Sequence, residues 1–274
     1  MIKTPMMKPM GVLVCVICMC FLIAARMSVH AQTDQVSVPG FANDENQIEF
    51  AVADWPPMVA EDMEGFGKHS RHVADIFSAM GFQVKFVFLS WPRAYELTKS
   101  GDYVGTFPWL KTRERDRDFL IPEHGIAQSY HKGFYKASRY PDGLDVTDFD
   151  DVKRLGLQPV VVASYWQEQE FKNRGIDAEI VANPEAAWRF LDAGRGDILF
   201  EEEEVAWHDL KNVFGEDVVK RFSSAEAITV EPMYILISRQ HPNGERLLRA
   251  FDAFMETPDG QKICQKWSFC RVDP

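Results

Sequence analysis

Two runs of alternating strand-like and helix-like segments, set apart by extended stretches, limit what this chain can fold into more than any other feature. Residues 48–53 form a short apolar strand that Asp54-Trp55-Pro56-Pro57 breaks, and residues 68–80 carry Val73, Ile76, Phe77 and Met80 at helical spacing. Gly81 stands where a left-handed helix cap is expected. Val84, Phe86 and Phe88 alternate as a strand, Ser90 is placed to cap a helix over 91–99, Gly101 closes it, and 103–107 is the next strand. After an extended stretch at 127–137 the pattern resumes. Strands are expected at 160–163, 178–181 and 197–200, and helices at 165–174, 184–192 and 203–212. A second extended stretch, 228–238, precedes two terminal helices over 243–255 and 258–267, the latter with Thr257 as cap and Pro258 in its first position. β-α-β-α-β runs of this kind build parallel sheets covered by helices. The whole reads as two α/β lobes joined by two extended crossings, a shape that closes around a small ligand.

The first 31 residues are a different kind of sequence. Lys3 and Lys8 give a cationic start, residues 11–25 are an almost unbroken apolar run, and Val29-His30-Ala31 has the small-residue pattern of a cleavage site. The apolar run is shorter than the roughly 20 residues that span a bilayer. Residues 1–31 therefore read as a secretory signal peptide and 32–47 as a flexible polar leader, which places the mature protein in the periplasm. Neither Cys15 nor Cys20 is preceded by the small residues of a lipoprotein signal. The chain carries 30 Lys+Arg against 41 Asp+Glu for a formal charge of -11, and removing the basic signal makes it more acidic still. Such a balance excludes a phosphate-backbone footprint, so nucleic acid is not expected as a partner.

Only Cys264 and Cys270 lie outside the signal. An even count in an oxidising compartment favours a disulfide, with two buried free thiols as the alternative. Within one continuous helix the two would stand about 9 Å apart along the axis, beyond bridging distance. A bridge requires the helix to end near Trp267 and the chain to turn back.

The order of motifs resembles the family 3 periplasmic solute-binding proteins, the receptors of amino-acid ABC importers, over residues 48–267. The resemblance is carried by Trp55-Pro56-Pro57 after the first strand, Gly65-Phe66, Ser90-Trp91, Thr112-Arg113-Glu114-Arg115, and Ala193-Gly194-Arg195-Gly196-Asp197. It implies a type II periplasmic-binding-protein-like fold, with lobe 1 over 48–132 and 235–274 and lobe 2 over 133–234. It further implies a monomer that takes a small polar or amino-acid-like ligand between the lobes, needs no cofactor or metal, and hands the ligand to an ABC permease. In the family the arginine of the Thr-x-x-Arg segment holds the ligand carboxylate, and the matching position is Arg115, with Arg113 and Arg117 as neighbours in the same charge-rich stretch. A guanidinium grips a carboxylate through two parallel hydrogen bonds. The turn Ser164-Tyr165 at a helix start would complete the carboxylate site with backbone N–H groups, while Ser164 is equally read as a plain cap. The acid that meets a ligand ammonium falls at Glu202, with Glu201 as the alternative register. Acids at a helix start are also favoured by the helix dipole alone.

One departure bears on the ligand. The family's amino-acid receptors present hydroxyls just before the Thr-x-x-Arg segment, whereas this chain has Pro108-Trp109-Leu110, none of which donates a hydroxyl hydrogen bond. A bulkier, more apolar or non-amino-acid ligand fits such a rim. Trp55 and Trp109 could wall the ligand or pack in the core, and Trp91, Trp188 and Trp207 are read as core. His69 with His72, and Glu204 with His208, are spaced to share a helix face but lack further metal partners, and are read as surface residues. The same fold hosts exported dehydratases resembling cyclohexadienyl dehydratase, for which Glu202 or His131 could supply a general acid. A sensory ligand-binding module is a third reading.

Overall fold

The computed structural model describes residues 46–163 and 165–269. The signal-peptide reading of 1–31, nearly all of the leader, Ser164 and Cys270 lie outside the described residues. Chain order is β1 (Gln47–Val52), α1 (Lys68–Ala79), β2 (Gln83–Phe88), α2 (Trp91–Ser100), β3 (Gly105–Leu110), α3 (Arg113–Asp118), β4 (Phe119–Leu120), β5 (Ala127–Lys136), α4 (Phe149–Arg154), β6 (Pro159–Val162), α5 (Trp166–Arg174), β7 (Glu179–Val181), α6 (Pro184–Asp192), β8 (Ile198–Glu202), α7 (Glu203–Phe214), β9 (Phe222–Ser238), α8 (Gly244–Met255) and α9 (Pro258–Trp267).

Local punctuation accounts for most of these boundaries. Gly81 and Gly101 take positive φ values of 88° and 95° behind α1 and α2. Asn183 accepts from the Ala186 amide and Thr257 from the Gly260 amide, each followed by a proline in the first turn of its helix. Ser90 occupies the N-cap position of α2 but makes no side-chain capping bond. Two short helices were not expected. Over α3 the sequence RERDRD has no apolar period to read; Thr112 nucleates it by accepting from Arg115 N. Asp148 caps α4 in the same way.

The strands of the described residues form one sheet in the order β2-β1-β3-β9-β5-β8-β6-β7, with β4 also on β9. β1 is parallel to β2 and β3, and β6 is parallel to β7 and β8. β5 and β9 run antiparallel to each other from Ala127↔Met233 to Lys136↔Phe222. The C-terminal part of β9 continues onto β3, and His131–Phe134 of β5 pair with β8. These two long strands are the crossings between two α/β lobes, and β9 is longer than the stretch the sequence suggested because, after Phe222, residues 223–227 (SSAEA) are polar or small.

The apolar side chains sort with the lobes. Phe50, Phe77, Phe107 and Ile235 share a core with Leu247 and Phe251 of α8 and Cys264 of α9, so the terminal helices return to the first half of the chain. In the second lobe Val160, Val162 and Leu199 pack on one face with Phe134 and Trp188. Val161, Ile198 and Phe200 pack on the other face with Phe149 and Phe171. A continuous apolar run such as PVVV is what a parallel strand covered on both faces needs. Trp188 is fully buried, as expected, and Trp207 packs against Phe134 with ring centroids 5.4 Å apart. At the start of α8 a Cβ on Gly244 would collide with the Ser238 carbonyl oxygen. Gly244→Ala is therefore expected to cost about 2 kcal/mol, within the overpacking range, and to lower the urea midpoint; an unchanged midpoint would show that α8 can shift to make room.

Candidate functional site

Open α/β sheets receive ligands beyond the carboxyl ends of their strands. In the first lobe those ends carry the Trp55 turn after β1 and α3 after β3; in the second they carry Tyr165 after β6 and Glu202 at the end of β8. The lobes meet here through an ion pair between Lys68, the first residue of α1, and Glu204 in the first turn of α7. Sequence reasoning did not single out Lys68, and its partner lies 136 residues away.

Arg115 is half-buried on α3. Its guanidinium carbon lies 4.6 Å from the Trp109 ring centroid, and Nη1 donates to the Leu110 carbonyl at 2.6 Å. No carboxylate lies within ion-pair distance of it among the described residues, which leaves most of its donor fork open. Its neighbours differ: Arg117 is exposed and paired with Asp118 at 3.0 Å, and Arg113 is exposed. Trp109 is braced edge-on by Trp91 and Tyr95, with centroids 4.9 and 5.5 Å away, and its Nε1 donates to Thr106 Oγ1 at 3.1 Å. Trp91 is thus half-buried support for Trp109 rather than a fully buried core residue. Burial lowers the Arg115 pKa from its usual value, and a guanidinium still remains charged.

In the second lobe four consecutive acids are handled in four ways. Glu201 is 6% exposed and its Oε1 accepts from Glu202 N at 2.8 Å; burial raises its pKa to about 8, against the pull of that bond. Glu202 is buried and caps α7, its Oε2 accepting from the amides of Glu204 and Val205 at 2.9 and 3.0 Å. Burial raises the Glu202 carboxyl to about 7, with Lys68 pulling the other way. Glu203 pairs with Lys132 at 2.7 Å, and Glu204 with Lys68. Tyr165 is partly buried, its hydroxyl pKa raised first by burial and then by the Glu201 charge.

His131 lies across from Glu202 in the β5–β8 register, is 4% exposed, and sits edge-on to Trp166. Burial depresses its pKa to about 4. Trp55 is half-buried and its ring lies 5.9 Å from that of His69. His69 and His72, read from sequence as surface residues, are 3% and 1% exposed. The return of α9 covers His72, whose ring lies 4.1 Å from that of Trp267, and its Nδ1 meets the Ile126 carbonyl. Burial holds both histidines below their usual pKa, His72 at about 4.

Trp109 and Arg115 are thus brought together in one lobe, and Glu202 and Tyr165 belong to the other; no direct contact joins the two sets among the described residues. The cavity of about 400 Å³ lined by Gln128, Tyr130, Val230, Tyr234 and Phe269 flanks the crossings and the end of α9, and includes none of the predicted ligand residues.

No protein-family model matches the sequence, and no curated protein matches it. Solved structures share the fold. One is a histidine kinase sensor domain with similarity to periplasmic binding proteins: 20% identical, TM-score 0.60, covering 81% of this chain and 96% of that one. A second is a binding component of an ABC transporter from Wolinella succinogenes complexed with lysine, 15% identical with TM-score 0.62, covering 83% and 97%. A third is an ancestral amino-acid-binding protein described as a precursor of cyclohexadienyl dehydratase, 18% identical with TM-score 0.60, covering 82% and 96%. The chain has the two-lobed fold of periplasmic binding proteins.

Proposed function

We propose that this chain is an exported solute-binding protein that captures a small carboxylate-bearing ligand between its lobes and delivers it to an ABC permease. The observation that carries this reading is Arg115: half-buried, stacked on Trp109, without an acidic partner among the described residues, and set beyond the carboxyl end of β3. A guanidinium held in that way is prepared for a carboxylate before any ligand arrives. The Tyr165 N–H is already given to the Val162 carbonyl at 3.1 Å, so the backbone N–H groups of the first turn of α5, just beyond the expected Ser164-Tyr165 turn, would complete the grip from the second lobe. Ligand contact with both lobes would favour closure, because a ligand shifts the lobes toward the state that it binds better. Trp55 and Trp109 would wall the ligand.

In this reading the protein works as a monomer in the periplasm after loss of residues 1–31, and Cys264 is bridged to Cys270. The bridge is supported by the chain path: α9 ends at Trp267, Ser268 takes φ 57° and ψ 39°, and Phe269 N bonds back to the Cys264 carbonyl at 3.2 Å. That turn is the one the six-residue spacing requires.

The test is a thermal-shift screen of the purified protein against amino acids, polyamines, dicarboxylates and aromatic acids. A ligand at a hundredfold excess over its Kd adds about 2.7 kcal/mol, several degrees for a chain of this size. A screen in which carboxylates produce no shift counts against the reading. A dehydratase is the second reading, favoured by the raised Glu202 pKa of about 7, which suits a general acid; turnover of prephenate that is lost in Glu202→Gln would support it.

A further inference from the structure

The charges at the site are unequally satisfied. Each of the four acids where an ammonium would be received already has a partner within the protein. Glu201 accepts from a backbone amide in the interior, Glu202 holds two amides of α7, Glu203 pairs with Lys132, and Glu204 pairs with Lys68. Lys68 also brings a fixed ammonium from the opposite lobe to the rim, close enough for its charge to act on Glu202. On the facing side the hydrogen-bonding inventory runs the other way. Arg115 has no acidic partner among the described residues, the Trp109 N–H is taken up by Thr106, Pro108 has no N–H, and the Leu110 carbonyl is occupied by Arg115 itself.

We propose that the ligand is a carboxylic acid without an α-ammonium group, such as a 2-oxo, 2-hydroxy or unsubstituted acid, with Lys68 standing where an amino acid would bring its own ammonium. This rests on the carboxylate-receptor reading above and narrows it. An amino acid entering this site would strip water from its ammonium and meet two buried acids already bonded to backbone amides and two already paired with lysines, with the Lys68 ammonium on the same rim. A desolvated charge without a partner is strongly disfavoured, and a site set against one competitor in this way discriminates by repulsion as well as by attraction.

The experiment is isothermal titration of the purified protein with matched pairs that differ only at Cα: phenylpyruvate against phenylalanine, 4-methyl-2-oxopentanoate against leucine, and 2-oxoglutarate against glutamate. In any pair that binds, the oxo acid is expected to bind at least tenfold more tightly. Lys68→Met is expected to reduce that ratio severalfold, because it removes the resident ammonium and frees the Glu204 carboxylate to receive the ligand's own. Equal or tighter binding of the amino acid in every pair that binds overturns the proposal and leaves the receptor reading standing. If no carboxylate of either series binds, both fall together. A ratio unchanged in Lys68→Met overturns the role given to Lys68.

Discussion

Arg115→Ala is expected to weaken ligand binding by two to three orders of magnitude while leaving the apoprotein's melting temperature nearly unchanged. Losing one member of a desolvated, hydrogen-bonded charge pair costs about 3–4 kcal/mol, and each 1.4 kcal/mol is a factor of ten in Kd. The fold should tolerate the change because α3 is a short, largely exposed helix. Its cap uses the Arg115 backbone N–H, which alanine retains. Arg115→Lys keeps the charge but not the planar fork, so its loss should be intermediate. Arg117→Ala should have little effect, since Arg117 is exposed and engaged with Asp118. Titration calorimetry on the four proteins separates these cases, and a ligand that binds Arg115→Ala with unchanged Kd rules out the clamp.

Glu201→Gln is expected to make the protein more stable than the wild type at pH 8, with the advantage shrinking towards pH 5. Burial raises the folded-state pKa of Glu201 to about 8 from an ordinary value of 4.5. The folded state therefore holds this proton more tightly, and the stability it contributes is complete below about pH 4.5 and lost as pH rises through about 8. Between pH 6.5 and 8 the wild type should lose about 2 kcal/mol through this group, at about 1.4 kcal/mol per pH unit, and the glutamine variant should not. Asp209, Glu202 and Tyr165 are the titratable groups coupled to Glu201. Glu202, raised to about 7, adds a weaker trend of the same sign in both proteins. The buried histidines act oppositely. His69, His72 and His131 have lowered folded-state pKa values, so their contribution is lost as pH falls below 6.5, outside this window. Urea unfolding of both proteins at pH 5, 6.5 and 8 checks the result; a stability difference that does not vary with pH would remove Glu201 as its source.

The elements that could be read from sequence are those whose boundaries are made by neighbours in the chain. The ranges of α6 and α9 match expectation to the residue because Asn183-Pro184 and Thr257-Pro258 close their first turns through bonds three residues long. The β-α-β order was legible because apolar runs such as PVVV mark strands covered on both faces. By contrast α3 carries no apolar face, so hydrophobic periodicity had nothing to detect. The candidate site was legible only as positions. Resemblance pointed to Arg115 and Glu202, but the feature that separates Arg115 from Arg117 is their different pairing, which spacing does not encode.

The burial of His69 and His72 was in part legible. They stand four residues before Val73 and Ile76, on the helix face that carries the apolar stripe of α1, and the reading as surface residues passed over that spacing. What the spacing does not encode is the cover: Trp55 lies against His69, and Trp267 and Phe269, nearly 200 residues later in the chain, close over His72. The run Glu201-Glu202-Glu203-Glu204 looked like a solvated helix start. Two of its members are buried because β8 is an interior strand between β5 and β6. The other two are neutralised by Lys132 and Lys68, from 71 and 136 residues away. Alternation of strands and helices and their caps follow from interactions a few residues long, and these the sequence determined; the two-lobed plan could be anticipated from their order but is held by pairings such as Ala127↔Met233, about a hundred residues apart. Which charges are satisfied, which are buried and which stay open for a ligand depends on contacts between distant segments, and only the tertiary structure decided them.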